Sequence, residues 1–481
     1  MTMQFKCNET LPERGTHIAL KVAGGGCQRG DGTSCGIVSN SATTPGDMTE
    51  RGCTYAGCRG VVGGPVKDAI QLTHGPIGCA FFSWGYRPHL ADTDFHMKYT
   101  FVSDMNETNI VFGGEKKLLQ SIIEASREFP EAKAVFVYNT CSTALIGDDG
   151  RDVAKQAEAI IGKPVVFFEC EGFKGVSQSM GHHVGNETIF RQLVGSAEPE
   201  GDFSRTINIV GDYNIKNDIR TFEYLFEAIG LKIITRFTGN VGVDELRIMH
   251  KAALNVIHCQ RSATYIADMM HDKYGTPAIN VTLWGIKHMS QALRDTAKFF
   301  GLEAEAEAVI ERELAKIQPK IDYYRERLKG KTVFIYQGGP RTWHWIELLR
   351  ELGMETMTAA TTFGHEDDYE KIFDQLAEGA MMIDNPNVPE IEEILTKRRP
   401  DLFISGNKEK YLAYKLGVPF VNGHTYDTGP YAGFIGMVNF ARDIDKALHA
   451  PIWGTLRNKA RPAPAAHHSA HGFAHGFEEA D

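Results

Sequence analysis

Short apolar segments alternate with longer helical segments through most of this chain, and that alternation constrains the fold more than any other feature. The segments predicted as strands are Ala134–Tyr138, Pro164–Phe168, Ile207–Val210, Lys232–Phe237, Ala253–His258, Ala278–Leu283, Thr332–Tyr336, Met381–Asp384, Leu402–Ser405 and Pro419–Val421. Those predicted as helices are Glu115–Glu128, Asp152–Ile161, Asp218–Gly230, Leu246–Ala253, Met289–Gly301 and Glu303–Leu328. Uniformly apolar strands separated by helices are typical of parallel sheets covered on both faces. We therefore predict an α/β fold of doubly wound, Rossmann-like sheets.

The length of 481 residues is enough for about three domains of ordinary size. The pattern breaks near Pro199-Glu200-Gly201-Asp202 and again at Gly330. The predicted division is an N-terminal arm (1–50), three α/β domains (51–200, 201–330 and 331–455) and a tail (456–481). The tail is rich in Pro, Ala and His, a composition that favours disorder.

Charge and cysteine content exclude several classes of function. The net charge of −10 argues against general nucleic-acid binding, because nothing offsets phosphate repulsion. No apolar run reaches the roughly 18 residues that span a membrane, and no signal peptide is visible, so we expect a cytoplasmic protein. The nine cysteines are odd in number and scattered, which favours metal ligation or burial over a disulfide scaffold.

Two groups of residues are candidates for a site. His424 follows the apolar run Val418–Val421 and the break Asn422-Gly423, so it is predicted on a loop at the carboxyl end of a strand, where open α/β sheets bind ligands. A lone histidine in that position is more often structural. Three cysteines, Cys53, Cys79 and Cys141, lie in or beside loops of small residues, which suits iron–sulfur ligation. Their spacing alone leaves ordinary burial open, since no Cys-x-x-Cys pair is present.

The sequence motifs around these residues resemble those of a known family. They are Gly52-Cys-Thr-Tyr-Ala-Gly57, His74-Gly-Pro-Ile-Gly-Cys79, Leu145-Ile-Gly-Asp-Asp149, Glu171–His183, Val256-Ile-His-Cys-Gln-Arg-Ser262, Tyr336-Gln-Gly-Gly-Pro-Arg341 and the segment around His424. Together, over roughly residues 45 to 450, they resemble the catalytic-component α-subunit of nitrogenases. The resemblance implies three α/β domains with a metal cofactor buried between them. It also implies an α2β2 assembly with a homologous β-subunit.

The resemblance also implies a role for each matching residue. Cys53, Cys79 and Cys141 match the α-side ligands of a bridging [8Fe-7S] cluster (a P-cluster), to which the β-subunit adds its own cysteines. Cys259 and His424 match the two protein ligands of a large iron–sulfur–carbide cofactor with homocitrate, whose end metal is molybdenum, vanadium or iron. The other matches are Gln178 and His182 beside its reactive sulfurs, Val61 at the substrate approach, Arg87, Arg261 and Arg341 as positive groups around it, and Lys408 near homocitrate.

Other cysteines, and the histidine next to His182, match no ligand of the family. Cys58 and Cys170 are predicted as buried thiols and His183 as structural, while Cys27 and Cys35 in the arm stay unassigned.

The family members differ in substrate, and this sequence is a mosaic of their features. Gly338–Trp345 and Phe363–Asp368 resemble the vanadium and iron-only enzymes, whereas Ala56–Gly60 and Gly406–Lys410 resemble the molybdenum type. Ala80–Asp94 fits neither alternative type, so the mosaic favours a separate branch, methylthio-alkane reductase, which cleaves small organic sulfides to methanethiol and a hydrocarbon. A true nitrogenase of the molybdenum, vanadium or iron-only type is the alternative. A cofactor-assembly scaffold is less favoured because it is expected to lack a histidine at position 424.

Electron delivery in this family implies further partners. The resemblance implies an ATP-dependent [4Fe-4S] reductase protein as the electron donor. Gly330-Lys331-Thr332 lacks the upstream glycine of a P-loop, so ATP is expected to bind that partner. A small third subunit stays open, and the substrate is expected to be a small molecule.

Overall fold

Three parallel sheets form the frame of the chain. The computed structural model describes residues 38–39, 52–85, 98–175, 178–362, 364 and 366–453. Its strands are β1 (Val38–Ser39), β2 (Ala69–His74), β3 (Thr100–Val102), β4 (Ala134–Asn139), β5 (Val165–Phe168), β6 (Thr206–Asp212), β7 (Lys232–Thr238), β8 (Leu254–Ile257), β9 (Ala278–Asn280), β10 (Thr332–Gly338), β11 (Glu355–Thr362), β12 (Met381–Asp384), β13 (Leu402–Ser405) and β14 (Phe420–Asn422). The sheet orders are β3-β2-β4-β5, β7-β6-β8-β9 and β1-β12-β11-β10-β13-β14. Every pair of neighbouring strands within them is parallel.

Helices connect the strands and cover the sheets. The α-helices are Ile77–Gly85, Glu107–Phe112, Glu115–Glu128, Cys141–Ile146, Gly150–Ile161, Gln178–Gln192, Asp218–Ala228, Val243–Arg247, Thr264–Tyr274, Ile286–Phe300, Glu303–Leu328, Pro340–Glu351, Glu366–Phe373, Val388–Arg398, Lys410–Lys415 and Gly433–Leu448. A π-helix spans Ala56–Gly63, and 3-10 turns span Gly172–Lys174, Ile215–Asn217 and Met249–Lys251. No helix among the described residues is long and apolar enough to cross a membrane.

The predicted α/β class with parallel sheets is confirmed, and the errors have physical causes. The strands β1, β2, β3 and β11 were not predicted. Strands β2 and β11 carry Gln, His and several Thr in place of an apolar run, and β1 and β3 are only two and three residues long. The helix predicted at Leu246–Ala253 is wrong. The chain instead ends a short helix at Arg247, makes a 3-10 turn and enters β8 at Leu254.

The predicted domain boundaries remain a prediction, but the sheets divide the chain in the same order. Strand β1, which lies in the predicted arm, pairs with β12 at the edge of the third sheet. One continuous apolar core joins the second and third sheets, and it includes Trp345, Tyr426 and residues of the last helix, Gly433–Leu448. The arm on either side of β1 and the tail from residue 454 lie outside the described residues.

In each sheet the order of the strands reverses at one inner strand, which is β2 in the first sheet, β6 in the second and β10 in the third. In the first sheet β3 is added on one side of β2 and β4 on the other, and β6 and β10 are flanked in the same way in the second and third sheets. Loops that leave the two central strands at such a point diverge to opposite faces, which opens a crevice at the carboxyl edge. The fold therefore provides three crevices, one on each sheet.

Polar side chains inside the first sheet anchor the π-helix to it. Gln71 of β2 is fully buried, and its amide donates to the carbonyl oxygens of Gly63 (3.2 Å) and Val66 (3.3 Å). Its carbonyl oxygen accepts from the Tyr138 hydroxyl at 2.6 Å. Buried polar groups keep such bonds because each unpaired one costs free energy.

Replacing Gln71 should therefore destabilise the fold. Gln71→Ala leaves two carbonyls and one hydroxyl without their partner, each at about 1–3 kcal/mol, so the melting temperature should fall clearly. Gln120→Ala, at an exposed helical position where the amide bonds only Glu124, is the control and should melt like the parent protein. Equal melting temperatures for the two variants would contradict the anchoring role.

Candidate functional site

A cavity lies where the carboxyl edges of the second and third sheets meet. Its empty space, counted together with the open mouth, is about 940 Å³. Of the residues predicted from sequence, seven line it: Val61, Gln178, His182, Cys259, Arg261, Arg341 and His424. The π-helix contributes Val61, and the helix Gln178–Gln192 contributes Gln178 and His182. The loops after β8 and β14 contribute Cys259, Arg261 and His424, and the helix Pro340–Glu351 contributes Arg341.

Cys259 stands at the end of β8, and the local backbone has no room for a side chain opposite it. Gly211 in β6 has φ +87°, and a Cβ there would lie 2.7 Å from the Cys259 nitrogen and 2.8 Å from its Cβ. Glycine is therefore required at position 211 both by conformation and by space. The close approach brings Asp212, at the end of β6, to the same cavity wall.

The loop that carries His424 is held by side chains on both flanks. The side-chain oxygen Oδ1 of Asn422 accepts from the backbone N–H groups of His424 (3.1 Å) and Thr425 (3.2 Å). Arg341 donates from Nη1 to the carbonyl oxygens of Gly423 (3.0 Å) and His424 (2.9 Å). The position of the imidazole is thus set by backbone contacts.

The two described arginines of the cavity are already engaged within the protein. Besides its carbonyl contacts, the Arg341 guanidinium lies 4.8 Å from the centre of the Trp284 ring. Arg261 donates from Nε to Asp368 at 2.8 Å and also pairs with Asp367. These carboxylates raise the pKa of Arg261 despite burial, which opposes it, and they offset much of its charge. Arg341 therefore supplies more uncompensated positive charge to the cavity than Arg261 does.

Two buried carboxyl groups in the cavity wall were not predicted from sequence. Asp212 and Asp218 both line the cavity and are almost completely buried. Burial raises the pKa of each above the usual carboxyl value, and the neighbouring Asp218 raises that of Asp212 further. The signal was present, because Gly211-Asp212-Tyr213 directly follows a predicted strand, where ligands are expected.

Buried histidines form another part of the wall. His258 and His344 line the cavity beside His182. His258 accepts from the Leu283 N–H at Nδ1 (3.1 Å), and its Nε2 has no hydrogen-bond partner among the described residues. Burial first, and then the nearby Arg341, lower the pKa of His258 to about 3. The ring is therefore neutral with its proton on Nε2.

The three remaining predicted cysteines meet at the carboxyl edge of the first sheet. Cys79 lies in the helix after β2, Cys141 follows β4, and Cys53 precedes the π-helix. A Cβ added at Gly172 would lie 3.0 Å from Cys141 Sγ and 3.4 Å from Cys53 Sγ, so these two sulfurs approach a common point. Burial, followed by repulsion from Cys53 and Cys141, raises the pKa of the Cys79 thiol. The three thiols thus form one group.

Other predicted residues lie elsewhere. Lys408 is exposed on the loop after β13 and does not line the cavity. Arg87, Cys27 and Cys35 lie outside the described residues. Cys58, Cys170 and His183 are buried, as expected. No three His, Cys, Asp or Glu residues of the described chain are grouped to hold a single metal ion.

The comparison with known families decides the assignment. The family described as "Nitrogenase component 1 type Oxidoreductase" matches residues 53–449. The chain belongs to this family. It is therefore an oxidoreductase by family, and the resemblance of its motifs is confirmed.

Individual relatives agree over most of their length. The nitrogenase molybdenum-iron protein alpha chain of Methanothermococcus thermolithotrophicus is 47% identical over 87% of this chain and 90% of its own length. The nitrogenase iron-iron protein alpha chain of Rhodobacter capsulatus is 42% identical over 93% of this chain and 85% of its own. A solved structure of nitrogenase Cp1 at pH 5 superposes with a TM-score of 0.81 and 38% identity, covering 87% of this chain and 92% of that one.

The raised pKa of Asp212 makes stability depend on pH. The folded protein keeps a proton on Asp212 up to a higher pH than the unfolded chain does, so stability is lost as pH rises above the usual carboxyl value toward the raised one. For the metal-free protein, the drop in melting temperature from pH 5 to pH 8 should be smaller in Asp212→Asn than in the parent.

Asp202→Asn provides a matched control for this measurement. Asp202 accepts from the N–H two residues on at 2.9 Å, as Asp212 does at 2.7 Å, but it is exposed. An equal pH dependence in the parent and Asp212→Asn would count against a raised pKa at Asp212.

Proposed function

We propose that this chain is the catalytic α-subunit of a nitrogenase that reduces dinitrogen to ammonia. The observation that carries the proposal is the placement of Cys259 and His424 in the wall of one cavity. The names of the similar chains, nitrogenase molybdenum-iron and iron-iron alpha chains, support dinitrogen as the substrate. They do not support the predicted preference for methylthio-alkane reductase, which rests on motif departures.

The cavity fits the large cofactor that this family implies. Cys259 offers a thiolate and His424 an imidazole, the ligand types that iron–sulfur and heavier metals accept. Burial raises the pKa of Asp212 and of Asp218, so each takes up a proton beside an anionic cofactor more readily than an exposed carboxyl group does. Arg341 adds positive charge. Cys259 and His424 would hold the cofactor and its homocitrate in this cavity, with molybdenum, vanadium or iron at the His424 end.

The three-thiol group fits a bridging cluster at a subunit interface. Gly172 leaves open the space beside Cys53 and Cys141 that a Cβ would fill. Exposed apolar side chains are carried by the helices and turns that surround these thiols: Ile77, Phe81, Val111, Phe112, Leu145 and Phe173. Exposed apolar patches of this kind mark protein interfaces. Cys53, Cys79 and Cys141 would hold an [8Fe-7S] cluster here, with a β-subunit covering the patch and supplying the other ligands in an α2β2 assembly.

The remaining pocket residues position substrate and protons. When bound, the cofactor supplies multi-electron reduction, with electrons from an ATP-dependent [4Fe-4S] reductase. Val61 and His182 lie on helices that touch through glycines, since a Cβ at Gly57 would contact the Gln178 backbone and one at Gly181 that of Thr54. This close contact fixes the position of Val61 relative to Gln178. Val61 limits the approach of substrate, and Gln178 can hydrogen-bond substrate. His182 lines the same cavity and is the proposed proton donor.

Gas analysis of the purified αβ complex with its reductase tests the proposal. Offered dinitrogen or ethyl methyl sulfide separately, the complex should form ammonia and no methanethiol. Release of methanethiol and ethane without ammonia would instead support methylthio-alkane reductase. Cys259→Ala is the control and should lose both the activity and the cofactor metal while keeping the iron of the bridging cluster. Full activity of Cys259→Ala would contradict the cavity as the reaction site.

A second variant tests the bridging cluster. Gly172→Ala places a methyl group 3.0 Å from Cys141 Sγ and 3.4 Å from Cys53 Sγ, so it should lower the occupancy of that cluster. The measurement is the iron content and the spectrum of the bridging cluster in the purified complex. Gly162→Ala is the control for backbone strain, because Gly162 has φ +69° and open space around it, so the added methyl group strains the backbone without touching a thiol. Normal cluster content in Gly172→Ala would remove the support that Gly172 gives to this site.

A further inference from the structure

We propose that Asp218 is a positioning residue that holds the His424 loop against the second sheet and so sets where the His424 imidazole stands relative to Cys259. The inference rests on the proposed function, because it concerns the two residues proposed to hold the cofactor. Asp218 begins the helix Asp218–Ala228 of the second sheet, whereas His424 belongs to the third. The family resemblance assigns no role to Asp218.

The geometry consists of three hydrogen bonds from one buried carboxyl group. Asp218 Oδ1 accepts from the backbone N–H groups of Tyr431 (2.6 Å) and Ala432 (2.9 Å). Its Oδ2 accepts from the Tyr426 hydroxyl at 3.1 Å. All three donors lie within eight residues after His424, on the segment that leads to the helix Gly433–Leu448. One side chain therefore fixes both ends of the turn that follows the proposed ligand.

The turn needs such a support. Tyr426 has φ +53°, a left-handed conformation that is unfavourable for a bulky side chain and persists only when surrounding contacts enforce it. The Tyr426 ring packs 4.2 Å from that of Tyr431, and its hydroxyl reaches Asp218. Without the carboxyl group, two buried N–H groups and this hydroxyl would lose their acceptor, and the turn could relax away from the second sheet.

The other bonds of the His424 loop do not perform this task. Asn422 lies in β14 and Arg341 in the helix Pro340–Glu351 that follows β10, so their bonds hold the loop to elements of the third sheet. Backbone contacts to the second-sheet side occur farther along, where Gly433 donates to the Leu283 carbonyl at 2.7 Å and Trp284 bridges Ala432. Among these second-sheet contacts, that of Asp218 reaches back to Tyr426, two residues from His424.

The prediction separates the hydrogen bonds of Asp218 from its charge. Asp218→Ala should speed amide hydrogen exchange in residues 425–432 by about tenfold or more, since the loop loses its buried acceptor. In the purified αβ complex it should also lower cofactor metal several-fold and broaden the cofactor's electron paramagnetic resonance signal, while the bridging cluster stays unchanged. Asp218→Asn, whose Oδ1 still accepts from Tyr431 and Ala432, should restore most of the exchange protection and of the metal.

Glu313→Ala is the matched control for general destabilisation. Glu313 is also a buried carboxylate with three donors, Tyr224 (2.8 Å), Lys316 (2.7 Å) and Arg312 (2.9 Å), but it touches no cavity residue through them. Its variant should melt earlier and keep both loop protection and cofactor metal. Unchanged exchange in Asp218→Ala, or equal loss in Glu313→Ala, would overturn the role of Asp218. Loss of protection without loss of metal would overturn its link to the cofactor.

The two readouts also separate this inference from the proposed function. Hydrogen exchange of the loop can be measured without the cofactor, so it tests the positioning role of Asp218 in any preparation of the protein. If the parent complex holds only bridging-cluster iron, the proposed function is wrong. The exchange measurement still tests the role of Asp218 in that case.

Discussion

The convergence of parallel strands at their carboxyl edges is the constraint on which the rest of this structure depends. Where the strand order reverses, the segments that leave two neighbouring strands run to opposite faces of the sheet. A recess opens between them at the carboxyl edge. Cys79 and Cys141 leave the first sheet there, Cys259 leaves the second, and Arg341 the third. Reactive residues far apart in sequence are thereby gathered into two groups.

Backbone packing decides how closely these residues can approach. Gly211 lies against the backbone and Cβ of Cys259, so the missing side chain lets β6 approach that residue closely. Gly172 lies against the thiols of Cys53 and Cys141, where the missing side chain leaves space beside the sulfurs. Polar contacts then fix the loops. Arg341 is bound to carbonyl oxygens of the His424 loop, so it is both a structural donor and a source of positive charge. Removing it would therefore disturb geometry and electrostatics together.

Sequence reasoning predicted the class of fold and most of the cavity, and its failures are instructive. Apolar strands such as Leu402–Ser405 and the amphipathic helix Glu115–Glu128 were predicted with the observed bounds, because burial alone selects them. Strand β2 was missed because its buried Gln71 is satisfied by partners distant in sequence, which no local pattern reveals. Asp218 was missed for the same reason, since its importance lies in burial. Gly211-Asp212 directly follows a predicted strand, so the position of Asp212 was a signal, but its burial is not visible in the sequence. The roles of the predicted ligands came from the resemblance to a family, not from spacing.

The two proposed cofactor ligands, Cys259 and His424, come from different sheets, so their spacing depends on the packing between those sheets. The apolar core shared by the second and third sheets fixes their overall separation, but apolar contacts are not directional and tolerate small sliding motions. Directional hydrogen bonds between elements of the second and third sheets are needed to set the spacing of Cys259 and His424 more finely. The three bonds of Asp218 have that character, and burial strengthens them because water cannot compete. Burial also raises the pKa of Asp218, because removing its charged form from water costs free energy. The surrounding core has to offset that free energy.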